Sequence, residues 1–343
     1  MKKTVFFCSL IIGMVLSACQ TQQTSQSKGN RTNDVEKMGY HGKVKTVKIE
    51  EYTPDKRAGE GLALSKTSNI RFDESGRLMS SIGLGNVNKT CNYGENGKVS
   101  EIVELYRDIK MHAFHSYDKR GNCTRIDLYK VYRGDSTLVE VRTMEYNDKD
   151  SIISYSSMPK VEATIQTVIH YGYDKNDCFV EKKVYSAPYG EELNTAGDVT
   201  THIRAKFDDQ KRPIQIDKMS LVDDIYTKDI EYNDNGDIAK EILHKPDAQP
   251  VVTVFEYTYN SEGKRAEAIA IVDGVKSQKT LYDDKGMKTV SEWYREDGIA
   301  YERTTYEYDA EGNIVTFSIF RIDPKTNDLI ESYREVRSIE YHS

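Results

Sequence analysis

One short segment recurs along most of this chain: an aromatic residue, then Asp or Asn, two polar residues and Gly. Copies start at Phe72, Tyr93, Tyr117, Tyr146, Tyr173, Phe207, Tyr232, Tyr259, Tyr282 and Tyr308. From the first to the last is 236 residues over nine intervals, a mean spacing of about 26. A repeat of this kind restricts the fold to copies of one supersecondary unit that bury their apolar faces on one another.

The chemistry of the segment identifies the unit. The residue after the aromatic is Asp or Asn in nine copies and Gly94 in the tenth. An Asx side chain there accepts from the backbone N–H two residues on and fixes a type I turn. Three residues later stands Gly in seven copies, a place that needs positive φ. A type I turn closed by a left-handed residue joins two strands through a G1 bulge. Asp150, Asp177 and Lys211 replace Gly in the other three copies, and looser turns are expected there. The flanks alternate with period 2. Ile70, Met144, Tyr171, Ile230, Tyr257 and Tyr306 stand two residues before an anchor, while Arg71, Glu145, Lys206, Glu231 and Glu307 stand one before. Each copy therefore reads as one antiparallel hairpin, and ten copies give about twenty strands.

The runs Phe72-Asp73-Glu74-Ser75-Gly76-Arg77-Leu78 and Tyr308-Asp309-Ala310-Glu311-Gly312-Asn313-Ile314 resemble the YD repeat of RHS-type proteins. The resemblance covers roughly residues 65–343, with a longer and less even period than usual. It implies long sheets of strand–turn–strand units, which in large toxins and teneurins wrap into a shell. The chain has few copies for such a shell and lacks the self-cleaving core and the toxin domain, so the architecture carries over and the toxin function does not. The expected fold is all-β: an elongated, curled antiparallel sheet first, a closed soluble barrel second, a propeller third. In an open sheet the terminal strands would offer edges that a partner could extend. A lipid-spanning barrel is not expected, because strands such as Lys98–Leu105 carry charge on both faces.

The N-terminus reads as an address. Met1-Lys2-Lys3 precedes an apolar run from Val5 to Leu16, which ends in Leu16-Ser17-Ala18-Cys19. That ending resembles the lipobox of bacterial lipoproteins. The resemblance implies a signal peptide over 1–18, cleavage before Cys19 and a lipid anchor on that residue. Residues 19–36, with Gln-Thr-Gln-Gln-Thr-Ser directly after Cys19, read as a flexible tether, and 37–343 as the repeat domain. Gln20 is not the Asp that retains enteric lipoproteins at the inner membrane, and no acidic cluster follows Cys19 before Asp34. The expected home is the outer membrane, periplasmic face before cell surface. As a whole the chain resembles the RHS-repeat lipoproteins of the Bacteroidota.

Composition and motifs bound the function. The formal charge of −7 argues against nucleic acid as a partner. Tyr is unusually abundant at 24 residues, as suits strands. Cys91, Cys123 and Cys178 form an odd set beyond Cys19, so no disulfide framework is expected. His112 and His115, three apart on a strand, fall on opposite faces and cannot share a metal. The acidic turn Asn233–Asp237 places Ile242 where a calcium loop needs Glu, so it reads as a hairpin turn. No catalytic motif, metal site or cofactor is expected. Trp293, Tyr257 and Tyr306 are the candidate binding residues, since aromatic rings on a sheet face can grip a peptide or stack on a sugar. The resulting expectation is a non-enzymatic, membrane-anchored protein that presents a β surface to another envelope protein. A cell-surface glycan as ligand and a toxin-shielding role are the alternatives.

Overall fold

The computed structural model describes residues 33–55, 61–161, 164–175, 178–195, 199–221 and 224–343. A single helical turn, α1 (Asp34–Lys37), comes first, N-capped by Asn33, whose side chain accepts from Glu36 N. Strand β1 (Val44–Pro54) follows. Ten hairpins then carry the ten repeat turns. The first five are β2 (Leu62–Phe72) with β3 (Leu78–Ile82), β4 (Asn88–Tyr93) with β5 (Val99–Tyr106), β6 (Ile109–Tyr117) with β7 (Cys123–Tyr132), β8 (Asp135–Tyr146) with β9 (Ile152–Pro159), and β10 (Ile165–Tyr173) with β11 (Phe179–Pro188). The second five are β12 (Thr201–Phe207) with β13 (Pro213–Ser220), β14 (Tyr226–Tyr232) with β15 (Ile238–His244), β16 (Val251–Tyr259) with β17 (Arg265–Val272), β18 (Val275–Tyr282) with β19 (Lys288–Tyr294), and β20 (Ala300–Tyr308) with β21 (Ile314–Ile322). The last strand, β22 (Leu329–Tyr341), ends the chain's secondary structure.

Every strand pairs antiparallel with its predecessor, and β22 pairs with β1 from Val44↔Tyr341 to Tyr52↔Arg334. The sheet is thus a closed barrel. This corrects the leading expectation of an open curled sheet and agrees with the closed barrel of the second one. It also removes the exposed terminal edges, because β1 and β22 use their edges on each other. The physical reason is additive: each hairpin adds the same right-handed twist, and enough twisted units in register return the last strand to the first. A ring of 22 strands, ~4.8 Å apart and tilted by ~40°, is about 45 Å across if round, too wide for its own side chains to fill. Most strand residues are accordingly half-exposed rather than buried.

The repeat turns behave alike. Asp73 N donates to Arg77 O and Gly76 N to Asp73 O, and the same pair of bonds recurs at Asp118, Asn233, Asp283 and Asp309. The register shifts immediately before the anchors, as at Arg71/Phe72 and Glu307/Tyr308, which is the expected bulge. The turns at Asp150 and Lys211 are not looser. Both residues take positive φ, 64° and 62°, and close the turn with bonds of 3.1 and 3.0 Å. The Asx carboxyl or amide oxygen holds the backbone there strongly enough to force a non-Gly residue into the left-handed region: Asp208 Oδ1 accepts from both Gln210 N and Arg212 N. Asp177 lies outside the described residues. In the copy with Gly94, Asn96 Oδ1 takes Lys98 N instead.

Strand register sorts the side chains onto two faces. The residues two before each anchor share one face around the ring, as the pairs Val47↔Ile70, Ile70↔Ser81, Cys91↔Ile102 and Ile102↔Ala113 show. This is the more covered face. Helix α1 packs on it, with Val35 and Tyr40 against Val44, Val47, Ile49, Ile70 and Phe72. Val35 is 1% exposed, so the final residues of the stretch read as tether belong to the fold. A second apolar cluster on this face gathers Ile216, Tyr226 and Ile230.

Candidate binding surface

All ten repeat turns lie at one end of the barrel, because each follows an even-numbered strand. We call this the turn rim. The anchor tyrosines tie neighbouring copies together there. Tyr93 Oη donates to Leu78 O, Tyr117 to Val99 O, Tyr146 to Cys123 O, Tyr173 to Ile152 O, Tyr232 to Pro213 O and Tyr308 to Lys288 O, all at 2.8–2.9 Å. Each acceptor is the carbonyl six residues after the preceding anchor. It stands beyond the last residue paired across that ladder, so the hydroxyl satisfies a main-chain acceptor that the sheet leaves over. In the eighth copy Tyr257 takes this role on Ile238 O, and Tyr259 donates to the Asp237 carboxylate. Phe72 is the first anchor and has no preceding copy to reach. The residue after the left-handed turn position (Gly76, Gly97, Lys211) completes the joint in several copies: the Arg77, Lys98 and Arg212 cations lie 4.7, 5.2 and 4.3 Å from the next anchor's ring.

The three aromatic candidates share the covered face but do not meet. Tyr257 on β16 and Tyr306 on β20 are separated by three strands. Trp293 pairs with Gln278 and Glu302, four residues along β20 from Tyr306. Tyr306 stacks on Phe317 at 5.8 Å, and Phe317 meets Tyr333 edge-on at 5.7 Å. Burial, then the nearby Asp237 charge, push the Tyr257 hydroxyl up to about 12, as befits a ring packed into the sheet. These rings form no single platform. His112 bonds Glu101 and stacks on Phe114, whereas His115 faces Ile126 and bonds Ala113 O, so the two histidines do fall on opposite faces. The Asn233–Asp237 turn is a hairpin turn, and the Asp237 carboxylate is engaged by Arg265 and Tyr259. Among the described residues no group of three or more His, Cys, Asp and Glu could hold a metal ion. No disulfide joins Cys91, Cys123 and Cys178 to one another. Cys19 lies outside the described residues.

The opposite end, which we call the far rim, shows what the motif search missed. Exposed large apolar side chains gather there: Ile82 closing β3 and Leu84 after it, Leu105 and Tyr106 on β5, Tyr132 on β7, Ile165 opening β10, Met219 near the end of β13 and Leu221 after it, and Leu329 and Ile330 opening β22. Leu221 is 73% exposed, Ile165 65% and Ile330 56%. The signal was present in the sequence as apolar residues at positions that close hairpins, where Gly, Asn and Asp are the rule. Charges of both signs stand among them, as in Arg107-Asp108 and Arg133-Gly134-Asp135.

Neither strand face provides a lipid-compatible band. The open face carries cross-strand pairs at mid-strand, including Glu101–His112, Glu181–His202 and Glu292–Arg303. The covered face carries Glu104–Lys89, Glu140–Arg142 and Glu241–Lys228.

No family model matches the chain, and no curated protein matches it either. Three of the solved structures to which it is similar follow. In the crystal structure of TcdB2-TccC3-Cdc42 the match has 11% identity and a TM-score of 0.40, over 81% of this chain and 15% of that one. The Photorhabdus luminescens Tc holotoxin pore gives 8% and 0.32, over 77% of this chain and 19% of that one. A porin-like protein from Bacteroides uniformis gives 11% and 0.32, over 87% and 96%. The chain thus spans a fifth or less of the TcdB2-TccC3 and Tc holotoxin chains it matches, and at these scores the functional reading rests on its own residues.

Proposed function

We propose that the chain is a non-enzymatic, lipid-tethered barrel of the cell envelope that binds a partner protein through its far rim. The observation that carries this reading is the sorting of exposed apolar side chains to that end. Helix α1 is held at the turn rim, where Asp34 N and Val35 N donate to Gly76 O. The described chain therefore starts at the turn rim, the end opposite the far rim. Charges of mixed sign among the apolar residues fit a protein interface, which has an apolar centre and a polar margin. They fit an anionic lipid surface poorly, since that selects clustered Lys and Arg. The lipobox resemblance of Leu16-Ser17-Ala18-Cys19 supports an envelope location in this reading, with the outer membrane as the anchor site.

The test is capture from native envelopes with the lipidated protein, its far-rim variant Ile165→Asp/Leu221→Asp, and a turn-rim control, Glu311→Lys. A protein recovered with wild type and control but lost with the far-rim variant supports the reading, given unchanged thermal unfolding. Equal recovery by the far-rim variant overturns it, as does flotation of the unlipidated barrel with vesicles in place of protein capture.

A further inference from the structure

A second feature lies at the turn rim and is independent of the far rim. The repeat is its own control, since the other copies show what belongs at each place. The residue after the anchor is Asp or Asn in nine copies. In seven of these its side-chain oxygen accepts from the N–H two residues on, as at Ser75, Gln210 and Glu311. The second copy has Gly94 in that place. Its main chain is the ordinary one: Gly94 N donates to Lys98 O and Gly97 N to Gly94 O, both at 2.9 Å. Nothing in this backbone requires glycine at 94. Its φ lies outside the left-handed region, and a Cβ would meet Asn96 Oδ1 at 3.4 Å, Lys98 O at 3.9 Å and Ser100 Cβ at 4.0 Å, all ordinary contacts. What glycine supplies here is room. The room is a cavity of about 380 Å³, bounded by Gly94, Glu95, Asn96 and Lys98 on the turn and by His115 and Tyr117 on β6. The β6 side holds a second departure from the repeat. His115 stands two before its anchor, a place that is apolar or aromatic in eight copies, and its Nδ1 bonds Ala113 O at 3.1 Å. Two breaks in the pattern thus meet at one cavity.

We propose that this cavity binds a carboxylate ligand of single-residue size, a sugar acid or an amino-acid derivative, whose oxygen takes the place of the Asx oxygen that the other copies supply themselves. Asn96 N–H has no oxygen on residue 94 to meet and donates to the ligand. Lys98 supplies the charge. Its Nζ donates to Gly121 O at 2.7 Å, a carbonyl rather than a carboxylate, and an ammonium has three N–H groups to give. Asn96 Oδ1 accepts from Lys98 N at 3.0 Å and so keeps the turn closed while the ligand comes and goes. The volume falls at the small end of the range for small-molecule sites, which sets the size of the ligand.

The probe is acetate at fixed ionic strength, with chloride as the comparison and the full protein as the sample. Acetate should shift the backbone amide NMR signals of Asn96 and Lys98, and chloride should not. Gly94→Asp restores the repeat's own carboxylate. It should weaken acetate binding about tenfold or more and raise the unfolding temperature, so lost binding cannot be mistaken for lost folding. Glu95→Gln removes the one acid that bounds the cavity and should strengthen binding. Amide signals that ignore acetate in the wild type overturn the proposal, as does acetate binding unchanged in Gly94→Asp. A lower unfolding temperature in Gly94→Asp also overturns it, because glycine would then serve the backbone and not the space. Galacturonate and N-acetylglycine distinguish the source: the one that displaces acetate at the lower concentration carries the natural group.

Discussion

The hydroxyl of Tyr117 donates to the main-chain carbonyl of Val99, 2.8 Å away in the preceding repeat. This one bond explains why the anchor is usually Tyr rather than Phe. The carbonyl stands where the β5–β6 ladder has already ended at Glu101↔Phe114, and the tyrosine ring spans the remaining gap. Substituting Tyr117 by Phe leaves the acceptor without its protein donor and should cost about 1–2 kcal/mol. Tyr232→Phe should cost a similar amount, and the two should add because the joints are far apart. Urea unfolding checks both. A loss below about 0.3 kcal/mol in each would show that water replaces the hydroxyl freely.

The Lys211 turn takes the conformation that glycine takes in seven other copies, at φ 62°. A left-handed L-residue carries a strain of about 1 kcal/mol, of which glycine returns part through its larger unfolded-state entropy. Lys211→Gly should therefore stabilise the barrel by about 0.5 kcal/mol. Gly263→Ala should destabilise by about 1 kcal/mol, since φ there is +76° although the space around it is open. Opposite signs for this pair, read by chemical denaturation, are the expected result.

How far the sequence could be read follows from this geometry. The hairpin was legible because its turn is local: Asp73, Gly76 and Arg77 lie within five residues, and Asp73 Oδ1 holds the turn by accepting from Ser75 N and Arg77 N. The closure was not, because the β1–β22 pairing joins residues almost three hundred apart, Thr46 to Glu340, and depends on twist summed over every strand between them. The same distinction separates the candidate residues. Tyr257 and Tyr306 could be placed on one face by alternation, but the strands between them could not be counted into a distance until the ring was known.

The carboxylates of the turn rim set the response to acid. Burial raises the affinity of Asp237 for a proton, yet hydrogen bonds from Arg265 and Tyr259 outweigh it and hold the carboxyl below its ordinary value. Asp309 is held down in the same way, by Tyr341 and by the Asn313 and Glu311 backbone. A carboxyl depressed in the folded state contributes stability that is complete above the unfolded value of about 3.9 and is lost as pH falls through the folded one. The urea midpoint should therefore be unaffected by these groups between pH 5 and 7 and should fall steeply below about pH 4. Asp237→Asn should flatten that fall. A midpoint unchanged from pH 5 to pH 3 would contradict the assignment.

Thiol chemistry should separate the three described cysteines. Cys91 and Cys178 are 3% and 2% exposed, whereas Cys123 is half-buried. Burial pushes the Cys91 and Cys123 thiols up, so little thiolate is available at neutral pH. With Cys19 replaced by Ala, iodoacetamide at pH 8 should label Cys123 slowly in the native protein and all three after denaturation. Mass spectrometry of the peptides reads the order. Rapid native labelling of Cys91 would mean that the β4–β5 hairpin opens far more often than its packing implies.

Asn313 closes the barrel from the side chain outward. It is 1% exposed; its Oδ1 accepts from His41 N at 2.6 Å, and its Nδ2 donates to His41 O at 3.0 Å and to Tyr341 Oη at 2.7 Å. One amide thus joins the last repeat turn, the segment after α1 and the end of β22, while Tyr341 Oη donates onward to Asp309. Asn313→Ala leaves several buried polar groups without partners and should cost about 2–4 kcal/mol. Because the loss is local to the seam, hydrogen exchange should accelerate first in β1 and β22, with the middle of the barrel, β10 to β15, protected as before. Asn313→Asp keeps the acceptor for His41 N but replaces the donor with a charge beside Asp309, so it should be as damaging at pH 7 and milder at pH 4. Uniform acceleration across all strands in Asn313→Ala would mean that the ring unfolds as one unit and that the seam is no weaker than any other ladder.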